Sequence, residues 1–425
     1  RPIPERILGS MRERIRLLAL NKFFSSSVIM IIGTNVVNVF NYIYHFLMGR
    51  MLGPSSYGEL ASLISIVGLL FIIPSSFGLA ITRMVATEAK DKHVKRALNK
   101  IIYLAIIFSF CFSLIFFATV PVISNYLKIS NIWSVVFAGL FFTFSMVGFV
   151  YKSILQGLFR FSRFISSTIG ETAVKLFLGV FLVNLGYGSF GALGAIFVGA
   201  ALGLFLAKYW VGDFLKVDKE ENFNRKYLKE LFLFSVPVTI YTIAQTSLFS
   251  ADLILVKHFF PNFEAGLYAA LSSLGKIILF GAGPVVFVMF PMISQKYSNK
   301  EKYSKIFLLS LGFTILVCLS LLALFYFVPS YVIRYSVGSS YLGAAGILFL
   351  FGVFMSLISI SNLLINLQLA IKRTKVVIFP SLAAIAQIIF INYYHSSMQE
   401  VIFISISISS VLLATLIIYS LSKKW

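Results

Sequence analysis

Residues 44–62 read YHFLMGRMLGPSSYGELAS, and residues 251–270 read ADLILVKHFFPNFEAGLYAA. Each stretch closes a long apolar run, and the two share a basic residue, a proline and a glycine in the same order. The aligned pairs are Arg50 with Lys257 and Pro54 with Pro261, both 207 positions apart, and Gly58 with Gly266, 208 positions apart. A repeat of this period predicts a chain made of two copies of one structural unit.

The composition indicates a membrane protein. Hydrophobic residues make up 59% of the 425 positions, charged residues only 12%, and the mean hydropathy is +0.93. A soluble chain carries about 25% charged residues. Apolar runs of about 20 residues, the length with which a helix crosses a bilayer, recur along the chain. The sequence therefore predicts an all-α polytopic membrane protein and excludes an ordinary soluble enzyme.

Twelve transmembrane helices are predicted, six in each copy of the repeat. Their ranges are 27–48, 60–82, 98–119, 132–154, 164–184, 190–211, 231–256, 265–293, 305–327, 341–370, 376–393 and 399–421. Because six is even, the copies enter the membrane in the same orientation and form two lobes related by a pseudo-twofold axis along the membrane normal. The predicted organisation is a basic cytoplasmic segment at 1–26, an N-lobe at 27–211, a cytoplasmic linker at 212–230 and a C-lobe at 231–425.

The positive charge is distributed unevenly between the two sides of this arrangement. Of the 36 Lys and Arg residues, 30 fall in segments on the side of the N-terminus and four on the opposite side. Short basic loops remain in the cytoplasm, so both termini are predicted to be cytoplasmic in a plasma or inner membrane. The net charge of +21 is spread over loops that face anionic lipids, which argues against a nucleic-acid partner.

Motifs of enzyme chemistry do not occur in the sequence, which has no P-loop, no HExxH and no CxxC. Cys111 and Cys318 lie inside apolar runs and are interpreted as core residues. A membrane glycosyltransferase would need catalytic acids in a large outer loop, and the predicted outer segments are short, with only Glu59, Glu264 and Glu400. We predict that the protein is not an enzyme and holds no metal or cofactor.

Polar residues at membrane depth form a stripe in each half. Asn38, Asn41 and His45 are spaced i, i+3, i+7 and share one face of the first helix. The repeat places Gln245 and Asp252 at the corresponding positions of the seventh helix. Isolated interhelical hydrogen bonds, worth about 0.6–2 kcal/mol each, are one interpretation. The repetition favours a water-filled cavity between the lobes that both stripes line.

Lys276 is the most informative single residue, because a lysine inside a membrane helix costs about 2.5–3.5 kcal/mol on insertion scales. Its own predicted helix carries no acid. One hypothesis is a cavity cation that meets an anionic substrate. The alternatives are a structural ion pair with Asp252 and extension of the side chain toward the membrane surface.

Four further charged residues are candidates. Arg50 and Lys257 lie at equivalent outer helix ends, where a substrate contact and an interfacial anchor are both compatible with the sequence. Glu171 and Lys175 are spaced i, i+4 with the acid first, the favourable order for an intrahelical ion pair. Together with Asp252, they are also candidates for binding a coupling ion.

Twelve helices in two like-oriented halves, with GRMLGPSSYGELA at 49–61, resemble the Wzx-type polysaccharide-export flippases. These belong to the multidrug, oligosaccharidyl-lipid and polysaccharide exporter (MOP) superfamily. The resemblance implies a V-shaped transporter with a central cavity lined by helices 1, 2, 7 and 8. It implies as cargo an oligosaccharide on a polyprenyl (pyro)phosphate, moved from the inner to the outer leaflet by alternating access.

The remaining expectations accompany this resemblance. One chain encloses its own cavity, so a monomer suffices, with membrane lipids and the polymerase and glycosyltransferase machinery of polysaccharide synthesis as further partners. Coupling of transport to H⁺ or Na⁺ is left open by the sequence. The alternative is a cation-coupled multidrug antiporter of the same superfamily, which predicts that the carboxylate of Asp252 matters more than the ammonium of Lys276.

Overall fold

The computed structural model describes residues 5–88, 92–216 and 226–422, and every regular element in these ranges is helical. The α-helices are α1 Glu5–Glu88, α2 Lys92–Tyr126, α3 Ile132–Gly157, α4 Phe161–Asn184, α5 Gly188–Val211, α6 Lys226–Leu248, α7 Ala251–Phe259, α8 Asn262–Ser298, α9 Ser304–Phe327, α10 Pro329–Ser336, α11 Ala345–Ala370, α12 Ile378–Tyr393 and α13 Met398–Leu421. Two 3₁₀ turns, Ser339–Ala344 and Thr374–Val377, precede α11 and α12. The predicted all-α class is confirmed.

The backbone of α1 reverses direction at Gly53. The apolar part of this helix, Ile32–Ala86, has 55 residues. At about 1.5 Å per residue it would be about 80 Å long if straight, far more than the roughly 30 Å of a hydrocarbon core. Gly53 has φ 70° and ψ 173°, a conformation that glycine adopts without the steric cost of a Cβ atom. We call the segment before Gly53 arm 1A and the segment after it arm 1B.

Contacts with the neighbouring helices show that the two arms form a hairpin. Gly33 near the start of arm 1A lies against Ile165 of α4. Thr82 near the end of arm 1B donates a hydrogen bond to the carbonyl of Ser153 of α3 at 3.2 Å. Both contacts lie close to the turn between α3 and α4. Glu59, just after the reversal, instead accepts a backbone hydrogen bond from the turn between α2 and α3 at 3.0 Å.

The described ranges contain ten helices long and apolar enough to cross a membrane, and α6 with α7 forms an additional pair bent by 48°. With arms 1A and 1B counted separately and the bent pair counted once, these are the twelve predicted crossings. The protein is therefore a multi-pass membrane protein. The predicted boundaries of the lobes stay predictions, and residues 1–4 and 217–225 of the predicted terminal segment and linker lie outside the described residues.

We use N-lobe for α1 to α5 and C-lobe for α6 to α13, following the predicted division, and each set of helices has its own buried polar contacts. In the N-lobe, Tyr44 donates a hydrogen bond to the carbonyl of Ala192 at 3.0 Å. In the C-lobe, Gln387 donates to Ser405 at 2.9 Å. The lobes meet at the end of the molecule that carries Gly53, which we call the Gly53 end. The opposite end, where α5 runs into residues 212–216, is the linker end.

Candidate substrate cavity between the lobes

Lys276 carries an ammonium group without a carboxylate partner, on the helix whose Ser273 meets Tyr57 of the other lobe. Its side chain is half-buried on α8, and its Nζ lies 5.8 Å from the centroid of the Phe249 ring. Among the described residues no carboxylate lies within 4 Å of this Nζ and no acceptor is hydrogen-bonded to it. The ion pair with Asp252 that the sequence offered as an alternative is therefore not formed. The ammonium group remains able to bind an anion.

Asp252 is buried in the same lobe and is held by a tyrosine. Its Oδ2 accepts a hydrogen bond from the hydroxyl of Tyr268 at 2.7 Å. Its Oδ1 has no hydrogen-bond partner among the described residues, and the side chain is fully buried. The carboxylate forms neither a hydrogen bond nor an ion pair with Lys276, and the two charges interact only at a distance. Its role in binding a coupling ion stays a prediction.

Lys175 reaches from α4 to arm 1A, and this corrects one expectation from the sequence. Its ammonium group donates a hydrogen bond to the side-chain oxygen of Asn41 and lies 4.8 Å above the Tyr44 ring. The predicted ion pair with Glu171 is not formed, because Glu171 pairs with Lys152 of α3 instead. Spacing along one helix could not reveal a partner that a neighbouring helix supplies.

His45 of arm 1A begins a series of polar contacts that reaches the other lobe. Its Nδ1 is 3.3 Å from the hydroxyl of Tyr57, which is in turn 2.7 Å from the hydroxyl of Ser273 on α8. These three side chains form a hydrogen-bonded chain from the N-lobe to the C-lobe. Lys175 contacts Asn41 and Tyr44, which lie near His45 on arm 1A, and Lys276 lies one turn after Ser273 on α8. The chain of hydrogen bonds thus has one lysine near each of its ends, one from each lobe.

The other predicted site residues divide into two groups. Asn38 is exposed on arm 1A, and Gln245 is half-buried on α6 with its Oε1 unpaired among the described residues. Arg50 and Lys257 lie instead at the Gly53 end. Arg50 donates to backbone carbonyls of the C-lobe, and Lys257 is fully buried, donating to the Asn262 side chain at 2.5 Å. Contact of Arg50 or Lys257 with substrate stays a prediction.

The Lys152–Glu171 ion pair lies at the wall of a cavity of about 230 Å³ inside the N-lobe. The cavity is otherwise largely apolar, with the rings of Phe71 and Phe149 in edge contact at 5.2 Å. The side chains of Lys152 and Glu171 are only 11% and 22% exposed. Removing one member of such a pair leaves the other charge in a poorly solvated place.

We expect Lys152→Met to lower the stability of the purified protein by about 3 kcal/mol, because Glu171 then loses its counter-charge. The double variant Lys152→Met with Glu171→Leu should recover most of this loss. The thermal unfolding midpoint in detergent measures both effects. Glu301→Gln is the matched control, since it breaks the exposed Lys296–Glu301 pair, whose contribution is about 0–1 kcal/mol. An equal destabilisation by the control would contradict the assignment.

The family of the chain follows from its sequence. Residues 24–297, more than half of the chain, match the polysaccharide biosynthesis protein family. The chain belongs to this family. A relative in Methanocaldococcus jannaschii, an uncharacterized membrane protein, is 29% identical over 273 residues, which are 60% of this chain and 63% of that protein. The chain thus matches less than two thirds of that relative's length.

Solved structures support the same fold for this polysaccharide biosynthesis protein. An inward-facing multidrug resistance MATE family transporter of the MOP superfamily superposes with a TM-score of 0.72 at 16% identity, covering 90% of this chain and 92% of the other. The lipid II flippase MurJ in an inward closed conformation gives a TM-score of 0.67 at 15% identity, with coverages of 93% and 88%. The chain thus has the two-lobe all-helical fold of these transporters, as its sequence predicted.

For this polysaccharide biosynthesis protein, sequence reasoning missed three features of the cavity. Tyr57 and Ser273 were not singled out, although Tyr57 stands inside the repeated stretch and Ser273 one turn before Lys276. Lys175 was interpreted chiefly as half of an ion pair. An i, i+3 relation between a serine and an intramembrane lysine was the available signal for Ser273.

Proposed function

We propose that the protein is a flippase that moves a polyprenyl-(pyro)phosphate-linked oligosaccharide from the cytoplasmic to the outer leaflet. The observation that carries the proposal is the pair of lysines. Lys175 from the N-lobe and Lys276 from the C-lobe both lack a carboxylate within 4 Å among the described residues. Lys175 contacts Asn41 and Tyr44 on arm 1A, and Lys276 lies one turn after Ser273, which meets Tyr57 of the other lobe. A pocket with two cations from opposite lobes suits a doubly anionic headgroup.

The chemistry of the cavity matches such a headgroup. Phosphate oxygens are strong acceptors, and ammonium groups bind them through charge-assisted hydrogen bonds. These contacts offset the cost of removing the anion from water. The amides of Asn38, Asn41 and Gln245 lie on the helices that carry the two stripes and are suited to sugar hydroxyls.

At the linker end the lobes touch on the side of arm 1B and α6, and we propose that access is from the opposite side, between arm 1A and α8. Ser235 of α6 donates a hydrogen bond to the carbonyl of Ser76 in arm 1B at 3.4 Å, so the lobes touch on this side. Pro284 of α8, which the repeat makes equivalent to Ser76, is exposed. A lateral opening between arm 1A and α8 would let the polyprenyl chain remain in lipid while the headgroup enters. The basic loops predict that the linker end is cytoplasmic.

The energy source we propose is the membrane potential, which favours outward movement of an anion by about 2.3 kcal/mol per charge per 100 mV. Asp252, Glu171 and Lys175 stay candidates for coupling H⁺ or Na⁺. No cofactor is required in this scheme. Enzymes that build and polymerise the oligosaccharide would supply the cargo and receive it, and a monomer suffices because both lobes belong to one chain.

Binding of a polyprenyl diphosphate to the purified protein in nanodiscs tests the proposal. We expect Lys175→Gln and Lys276→Gln each to weaken binding about tenfold, the effect of losing about 1.4 kcal/mol of charge-assisted bonding. Lys302→Gln, at an exposed position of the linker end, is the matched control and should bind as the wild type does. A polyprenol of the same length should bind much more weakly. Equal binding of polyprenol and diphosphate would refute the proposal.

A further inference from the structure

At the Gly53 end, Arg50 of the N-lobe is hydrogen-bonded to the C-lobe. The guanidinium group of Arg50 donates hydrogen bonds to the carbonyl of Ser336 at 2.8 Å, to that of Arg334 at 3.2 Å and to that of Tyr335. These carbonyls end helix α10, where they have no partner within the helix and the helix dipole is negative. A cation is favoured at this position. The contact joins arm 1A of the N-lobe to the C-lobe.

A second contact runs in the opposite direction. His258, near the end of α7 in the C-lobe, hydrogen-bonds through Nδ1 to the carbonyl of Tyr126 at 2.8 Å. Because a carbonyl only accepts, this Nδ1 carries the proton. The imidazole also stacks on the ring of Tyr126, with centroids 3.7 Å apart and planes inclined by 7°. Tyr126 is the last residue of α2 in the N-lobe.

Further hydrogen bonds reinforce the second contact. Asn262 donates through Nδ2 to the carbonyl of Lys128 at 3.3 Å. The ammonium group of Lys128 donates back to the carbonyls of Phe259 and Phe260, each at 3.4 Å. Lys128 belongs to the turn after α2, and the other residues belong to the C-lobe. Hydrogen bonds are therefore donated in both directions between the turn after α2 and the C-lobe residues around the end of α7.

The two contacts are copies of one another. Arg50 and His258 are 208 positions apart in the sequence, and so are their partners Tyr126 and Arg334. At the 207-residue offset of the sequence repeat, Arg50 aligns with Lys257, and it is the next residue, His258, that makes the corresponding contact to the other lobe. In each copy a nitrogen donor at the outer end of a lobe's first transmembrane helix reaches the final carbonyls of a helix in the other lobe.

Two glycines that the repeat relates lie in direct contact. Gly58 and Gly266 are also 208 positions apart, and they touch: a Cβ atom on Gly58 would lie 3.0 Å from the backbone nitrogen of Gly266. On Gly266 it would lie only 1.9 Å from the carbonyl oxygen of Pro54. Backbone approaches backbone here without side chains between. The two polar contacts flank this point.

We propose that the Arg50 contact and the His258 contact form a duplicated latch that keeps the Gly53 end closed, and that both halves must release before the cavity opens there. The proposal rests on the transport cycle proposed above, in which the Gly53 end faces outward. The polar groups of the latch lie at the water-exposed end, where Arg50 and Tyr126 are exposed. Water can therefore replace each bond when the lobes separate, which makes release reversible.

Distances between spin labels test the latch. Labels at Asn125→Cys and Tyr331→Cys, both exposed and on opposite lobes, would be attached after Cys111 and Cys318 are replaced by alanine. The wild type in nanodiscs should give one short distance. Arg50→Ala should move about half or more of the population to a longer distance, because a change of about 1.4 kcal/mol shifts a two-state ratio tenfold.

Matched variants separate the latch from general damage. Arg334→Ala keeps the carbonyl that Arg50 binds and should leave the distance unchanged. Arg50→Lys keeps the charge without the fork of donors and should give an intermediate population. His258→Phe keeps the ring stack on Tyr126 without the N–H and should open the gate in the same direction as Arg50→Ala.

One result would overturn the proposal: folded Arg50→Ala and His258→Phe proteins whose distance distributions match those of the wild type and Arg334→Ala. Binding of the polyprenyl diphosphate provides the independent readout. His258 is not among the candidate cavity residues, so His258→Phe should retain binding. If the distances do not change but the diphosphate binds, the latch proposal has failed. If the distances change as expected but the wild type does not bind the diphosphate, the proposed function has failed.

Discussion

Lys276→Glu is expected to abolish export in a cell whose surface polysaccharide depends on this protein, with a loss of about 100-fold or more. The variant removes the one ammonium group that α8 brings to the cavity and adds a carboxylate that repels the headgroup. The amount of polysaccharide at the cell surface, normalised to the amount of protein in the membrane, measures the effect.

Three comparisons make this experiment decisive. Lys276→Arg keeps a cation and should retain part of the activity, and Lys302→Glu makes the same charge change at an exposed position and should be neutral. Asp252→Asn distinguishes the alternative of cation-coupled drug export. If Asp252→Asn abolished transport and Lys276→Glu did not, the cavity would serve a cationic substrate and the flippase proposal would be wrong.

Gly266→Ala is expected to prevent closure of the Gly53 end and to reduce export about tenfold or more. Its Cβ would lie 1.9 Å from the carbonyl oxygen of Pro54, a backbone atom that cannot turn away. The lobes would have to separate by an ångström or more at the contact between Gly266 and Pro54. The spin-label pair across the latch should report a longer distance in this variant, and polysaccharide export should fall with it.

A second glycine of α8 gives the control for this variant. A Cβ at Gly281 would meet its nearest neighbour, the Cγ1 of Val317, at an ordinary 3.5 Å, so Gly281→Ala should export normally. Gly58→Ala should reduce export less than Gly266→Ala, because the Cβ of Gly58→Ala would lie 3.0 Å from the nitrogen of Gly266. Normal export and an unchanged distance in Gly266→Ala would show that the glycine contact is dispensable.

The fold was predictable from the sequence because its signals are local. Apolar length defines each crossing, and the charge of short loops defines an orientation. The reversal at Gly53 was also visible, since Gly53 and Pro54 interrupt two apolar runs. The eight-residue helix α10 was not predicted, because a short amphipathic segment has no such signature.

The site was predictable only in part, because its contacts join distant segments. Lys276 was identified alone, since a lysine within an apolar run is costly wherever it points. Arg50 could not be assigned to the latch, because its partner Ser336 is 286 positions away and lies on the unpredicted α10. The ion pair of Glu171 depends on which face of α3 turns toward α4, and spacing within α4 carries no information about that.

The hydrogen-bonded chain from His45 through Tyr57 to Ser273 has a consequence for selectivity. It crosses the boundary between the lobes, so separating them at this level leaves the Tyr57 and Ser273 hydroxyls without each other. An unpaired hydroxyl in a narrow site is costly unless another group satisfies it. A carbohydrate offers such groups in abundance, whereas a hydrocarbon drug offers none. A substrate rich in hydroxyl groups would thus lower the barrier to separating the lobes at this contact. An apolar molecule in the same place would not lower that barrier.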